Sequence, residues 1–246
     1  MEHTNTCLNC ETIVTSSYCP ECGQSTQVDR ITFKNSLSQF FRSALSFQGP
    51  FLFTLLSLIK NPGEVFQSYL AGKRKRYYQP FYFYILLSAF YLIIQKLIGF
   101  DPLQGEAARI ENVGMPEVAV KMMNAAKFMT LHINKMLLIP VIAVALMMKL
   151  FFRKRYFLAE YAAVALYIIG MYILAGIFYM LLIHLTEFDN MKLQLLIMFL
   201  FTFYGSISLF GRKLNVVLKS ILLSVLSVII YTWGGMSLSY LIVILR

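Results

Sequence analysis

Charge is scarce in this chain: Asp, Glu, Lys and Arg make up 14% of its 246 residues and hydrophobic side chains 58%, where a soluble domain carries about 25% charge. The shortage excludes a soluble globule, and the apolar excess excludes a disordered chain. Cysteine is absent after Cys22. The first thirty residues are polar, without the apolar run of about 7–15 residues that marks a signal peptide, so none is expected. Also missing are HExxH, GxSxG and paired carboxylates at helical spacing, the usual supports for a membrane hydrolase. The ionisable residues Lys96, Lys149, Glu160, His184 and Lys219 all fall near the ends of apolar stretches. Ion-coupled transport, which keeps such groups in mid-membrane, therefore lacks support. His184-x-x-Glu187-x-Asp189 is the best remnant of a second metal site, and a polar interfacial loop explains it better. No enzymatic activity is expected.

What is present is apolar and helical in length. Phe81–Phe100, Lys135–Phe152, Leu158–Leu185, Leu193–Phe210 and Val216–Leu245 each suit a membrane crossing. The fold class this predicts is an all-α polytopic membrane protein with about five transmembrane helices behind a small polar N-terminal head that holds all the cysteines. The last stretch is too long for one upright span. It must tilt, start in the interface near Lys219, or break at Gly234-Gly235. Met115–Asn134 suits an amphipathic helix on the outer face. The basic groups Lys73–Arg76 before the first stretch, Arg153-Lys154-Arg155 after the second and Arg212-Lys213 after the fourth all fall on one face, which the positive-inside rule assigns to the cytoplasm together with the N terminus.

All four cysteines lie in the polar head as Cys7-Leu-Asn-Cys10 and Cys19-Pro-Glu-Cys22-Gly23. Each CxxC holds two thiolates one tight turn apart, and two such pairs make a tetrahedral zinc site; disulfides are the alternative. Gly23 fits the left-handed position after a metal knuckle, and His3 is a bystander. So small a segment cannot bury a core, so metal binding must supply most of its folding energy, typically about 10–16 kcal/mol. Within residues 1–30 Glu2, Glu11, Glu21 and Asp29 face a single Arg30, although the whole chain carries +10. A phosphate backbone is bound by Lys and Arg, so nucleic acid is not the expected partner; a docked protein, or a purely structural cap, is.

Residues 31–80 form a second region, before the bundle of 81–246. Phe33, Leu37, Phe40, Phe41 and Leu45 make one helical stripe, and Phe51–Ile59 is apolar but too short to span. Asn61-Pro62-Gly63-Glu64 is a helix start and Gly72 a stop. These helices either lie along the membrane face or fold back onto the bundle. Lys73, Arg74, Lys75 and Arg76 then either set topology alone or also bind anionic lipid head groups, at about 1 kcal/mol per charge.

The motifs Cys7-x-x-Cys10…Tyr18-Cys19-Pro20-x-Cys22-Gly23-Gln24, Pro62-Gly63-Glu64, Tyr69-Leu70-x-Gly72-Lys73-Arg74 and Tyr77-Tyr78-x-Pro80-Phe81 resemble those of an uncharacterised bacterial family. Its members join an N-terminal zinc ribbon to a polytopic membrane domain of unknown function. Glu11 departs from it, standing where the family's first knuckle has glycine. The resemblance implies a zinc cofactor at the four cysteines and residence in a bacterial inner membrane, and adds no mechanism. The expectation is thus a non-enzymatic scaffold, sensor or assembly factor. A permease or channel for a neutral or lipidic substrate, with the ribbon as its regulator, is the alternative.

Overall fold

The structure is a computed structural model that describes residues 5–26, 51–100, 117–186 and 191–245. His3, the stripe from Phe33 to Leu45, residues 101–116, Glu187 and Asp189 lie outside them. The head pairs β1 (Asn5–Thr6) with β2 (Ile13–Val14) antiparallel, Asn5 opposite Val14 and Thr6 opposite Ile13. The other regular elements among the described residues are helices.

α1 (Phe51–Lys60) and α2 (Pro62–Leu70) follow one another with a single residue between them. That residue, Asn61, caps α2 by accepting the Glu64 N–H through Oδ1 at 3.4 Å, with Pro62 in the first turn. α2 stops at Gly72, whose φ of 105° lets Gly72 N–H reach Tyr69 O (3.2 Å) and Lys73 N–H reach Ser68 O (3.0 Å), a Schellman closure. Start and stop are those the sequence predicts.

Of the two placements open for this region, α2 takes the bundle. Val65, Phe66 and Tyr69 are buried, Phe66 stacks on Tyr167, and Gln67 Nε2 donates to Leu209 O at 3.3 Å. Gly63 makes this approach possible, because a Cβ there would collide with the Ser208 carbonyl. α1 keeps an open apolar side, Leu52, Phe53, Leu56 and Ile59, while Thr54 and Leu58 face inward.

Among the described residues four helices are long and apolar enough to cross a membrane, as expected of a multi-pass membrane protein: α3 (Pro80–Leu97), α7 (Leu158–Thr186), α8 (Met191–Phe210) and α9 (Leu214–Ile244). The fifth apolar stretch differs from the expectation of one long span. It is broken into α5 (Ile133–Met136) and α6 (Leu138–Phe151), after α4 (Glu117–Leu131), which lies within the predicted amphipathic stretch. α6 alone is 14 residues, about 21 Å, short of the roughly 30 Å hydrocarbon core. Pro140 supplies a reason for the break, since without an N–H it leaves the Met136 carbonyl outside the helical ladder. Together α5 and α6 reach about 28 Å.

α7 is the hub, with 16 buried residues including Tyr161, Tyr167, Ile169 and Ile173. α3 lies parallel to it: Phe83 rests on Gly170 and Tyr91 approaches Gly176. α8 runs antiparallel to α7, with Gly205 under Ile168. The length of α9 is resolved without a break at Gly234-Gly235. Its 31 residues run as one helix alongside the antiparallel α4–α6 run: Lys219 over the Phe152 ring, Gly234 near Ile139 and Gly235 against Met129. Its packed side is rich in small and polar residues (Ser220, Ser224, Ser227, Gly235, Ser239) around Leu223 and Tyr231, and its open side is apolar (Leu222, Leu226, Ile229, Trp233). That reversal of the soluble pattern is what lipid as solvent selects, small residues giving close helix contact.

A candidate metal centre on the basic end of the bundle

Each cysteine pair sits in a knuckle with the same backbone bonding. In the first, Cys7 N–H donates to Thr12 O (2.9 Å) and Glu11 N–H to Cys7 O (2.8 Å). In the second, Cys19 N–H donates to Gln24 O (2.8 Å) and Gly23 N–H to Cys19 O (2.9 Å). The fourth residue after the leading cysteine is left-handed in both: Glu11 at φ 65° and Gly23 at φ 67°. Gly23 adopts this freely. Glu11, at the position where glycine was expected, adopts it against a side-chain clash.

The four sulfur atoms lie within 4.8 Å of one another. Cys7 and Cys22 are 3.6 Å apart, Cys10 and Cys19 3.4 Å, Cys10 and Cys22 3.5 Å. A tetrahedron with zinc–sulfur bonds of about 2.3 Å has edges of about 3.8 Å. The spacing thus fits a four-thiolate metal ion and is far from a disulfide, and all four cysteines are free. Cys7 and Cys19 are buried with Val14, while Cys10 is exposed. Hydrogen bonds from the Thr12 side chain and backbone pull the Cys10 thiol down to about 6, whereas burial pushes Cys22 up to about 11. A divalent cation is what would favour the thiolate at both. Among the described residues no second group of His, Cys, Asp and Glu comes close enough to hold a metal.

The ribbon rests on the basic loop between α2 and α3. Gln24 Nε2 donates to Gly72 O (3.0 Å), Gln24 Oε1 accepts Lys75 N–H (3.2 Å), and Asn9 Oδ1 accepts Arg76 N–H (3.1 Å). Lys73 Nζ is 3.9 Å from Glu11 Oε1, an exposed pair worth little by itself. The four predicted basic residues are therefore not equivalent. Lys73 turns to the ribbon. Arg74 stands near Tyr69, whose hydroxyl is pushed up to about 12 by burial, with the Arg74 charge drawing it down. Lys75 and Arg76 are exposed, the Arg76 guanidinium carbon 5.3 Å from the Phe53 ring centre and 5.7 Å from that of Tyr77. Asn9 and Gln24 were not predicted as functional residues. The available signals were their places inside the two knuckles and the opposite charge of head and loop.

The other two basic clusters gather at the same end. Arg155 Nη1 donates to Phe210 O (3.4 Å), closing the C terminus of α8, and Lys149 Nζ donates to Arg153 O (3.1 Å) and Tyr156 O (3.0 Å), just past α6. Helices that end here present negative dipole ends, and these cations satisfy carbonyls there. Glu160, buried near the start of α7, accepts Phe157 N–H at 2.7 Å, the return half of a capping box.

Toward the far end Tyr91, Tyr172, Tyr179 and Gln194 line a cavity with Leu137 and Ile197. At the basic end Phe66, Tyr69, Phe83 and Tyr167 fill the interior, Phe152 stacks on Phe210 at 3.7 Å, and the Tyr167 hydroxyl donates to Tyr78 O. No curated protein and no solved structure matches the chain. Residues 49–92, which hold α1, α2, the basic loop under the ribbon and the first part of α3, match the model of a family described as protein of unknown function (DUF3667).

Proposed function

We propose that this is a non-enzymatic integral membrane protein whose zinc ribbon works as a scaffold, sensor or assembly module at the cytoplasmic face of a bacterial inner membrane. The observation that carries the reading is the seat of the cysteine tetrad, fixed by Asn9 and Gln24 on the basic loop. Four cysteine ligands would close the coordination of zinc and leave no position for a substrate, which is the arrangement of structural sites. Zinc bound there would fold the ribbon. The exposed Lys75 and Arg76, beside the apolar side of α1, would meet anionic head groups, and the outer surface of the ribbon would meet a protein partner.

The aromatic filling of the basic end supports a scaffold over a permease, because it stands between the tyrosine-lined cavity and the ribbon. Purification in mild detergent of the intact chain and of a chain lacking residues 1–30 tests the reading. A protein that accompanies only the intact chain is the expected outcome. Equal company for both, with solute uptake by proteoliposomes of either, would favour the permease instead.

A further inference from the structure

The two side chains that hold the basic loop are placed by the metal knuckles. Asn9 lies between Cys7 and Cys10, and Gln24 lies two residues after Cys22. Gln24 is only 6% exposed, its carbonyl receives the Cys19 N–H, and its amide bridges Gly72 O and Lys75 N–H. The ribbon's buried apolar cluster is Cys7, Val14 and Cys19, with Cys22 against it. So small a core cannot offset a backbone ordering cost of about 1–2 kcal/mol per residue. The positions of both amides therefore belong to the metal-loaded fold. The loop depends on them in turn: after Arg74 N–H, which bonds to Gly72 O at 2.8 Å, the next two N–H groups, of Lys75 and Arg76, are taken by the ribbon.

We propose that the ribbon is a metal-dependent latch on the loop of residues 72–76. With the metal bound, Asn9 and Gln24 keep the loop closed and Lys73 turned to the ribbon. When the metal leaves, these contacts are lost, and Lys73 joins Lys75 and Arg76 in binding the phosphates of anionic lipid. The latch rests on the four-cysteine metal centre and gives the sensor reading a moving part.

The test uses the full chain in nanodiscs, with zinc counted by elemental analysis and hydrogen exchange followed over residues 62–80. In zinc-loaded protein the Lys75 and Arg76 amides exchange slowly. Chelation speeds them about tenfold or more while the α2 amides stay unchanged. Asn9→Ala combined with Gln24→Ala keeps one zinc per chain yet exchanges as fast as the chelated protein. After chelation, trypsin cuts the loop in zwitterionic nanodiscs and is slowed in phosphatidylglycerol nanodiscs. A loop that stays slow after chelation, or in the double variant, overturns the latch, and equal cutting in both lipids overturns its head-group half. A chain that binds no zinc at all fails at the metal count, which separates loss of the metal centre from loss of the latch.

Discussion

Glu11→Gly should tighten metal binding, although it deletes a charged side chain facing a lysine. Glu11 is held at φ 65°, a conformation that costs a residue with a Cβ about 1–2 kcal/mol and glycine almost nothing. Against this stand two losses. The pair with Lys73 spans 3.9 Å and the Glu11 side chain is 80% exposed, so it is worth a few tenths of a kcal/mol. Glycine also loosens the unfolded chain by about 0.4–1 kcal/mol. The net gain is about 0.5 kcal/mol, roughly twofold in apparent affinity, because folding and metal binding are one equilibrium here. Glu11→Ala also loses the ion pair but keeps the strain, so by the same terms it should bind about fourfold more weakly than Glu11→Gly. Competition of the purified full-length variants against a chromophoric zinc chelator measures all three affinities. If Glu11→Gly binds no more tightly than Glu11→Ala, the left-handed strain is not there and the parallel between the two knuckles is wrong.

Cobalt in place of zinc should give the intense visible absorption of a tetrahedral four-thiolate site, and Cys19→Ser should weaken it and unfold the ribbon, as read by proteolysis. Gly63→Ala should destabilise the protein by about 1–3 kcal/mol, measured by thermal unfolding in detergent, since the Cβ meets the Ser208 backbone and not a side chain that can swing away. In zinc-loaded protein, changing Lys75 and Arg76 to Gln should remove more co-purifying anionic lipid than changing Lys73 and Arg74, by about 1 kcal/mol for each exposed charge; equal losses would contradict the division of the cluster. For orientation, His184→Cys should react with an impermeant thiol reagent in intact cells and Lys154→Cys should not, the reverse pattern overturning the cytoplasmic placement.

Much of this was legible because the chemistry is local. A CxxC pair, an Asn-Pro helix start and a Gly stop each describe a few neighbouring residues, so Cys7, Cys10, Cys19, Cys22, Asn61 and Gly72 could be read one at a time. Basic loops are equally local, and their alternation gave the shared end at which Arg155 and Lys149 are found. What escaped was pairing at a distance. Periodicity states that α2 has an apolar side and cannot state that Gln67 reaches Leu209. Nor does hydropathy distinguish one long helix from α5 and α6, which differ in backbone bonding and not in composition. Asn9 and Gln24 were hidden for a related reason: a polar side chain on a metal knuckle looks solvated until its partner is known.

The burial of α2 has a consequence for how the chain is made. Its Val65, Phe66 and Tyr69 side emerges from the ribosome early, yet part of its seat, Ser208 and Leu209 on α8, is synthesised some 140 residues later. At about 5–20 residues per second that interval lasts roughly seven to thirty seconds. Until α7 brings Tyr167 and α8 brings Ser208 and Leu209, that side lacks its bundle partners, and the bilayer interface is the available shelter. The two placements that the sequence leaves open would then be successive: α2 would rest on the lipid surface in the nascent chain and complete its seat on the bundle when α8 arrives.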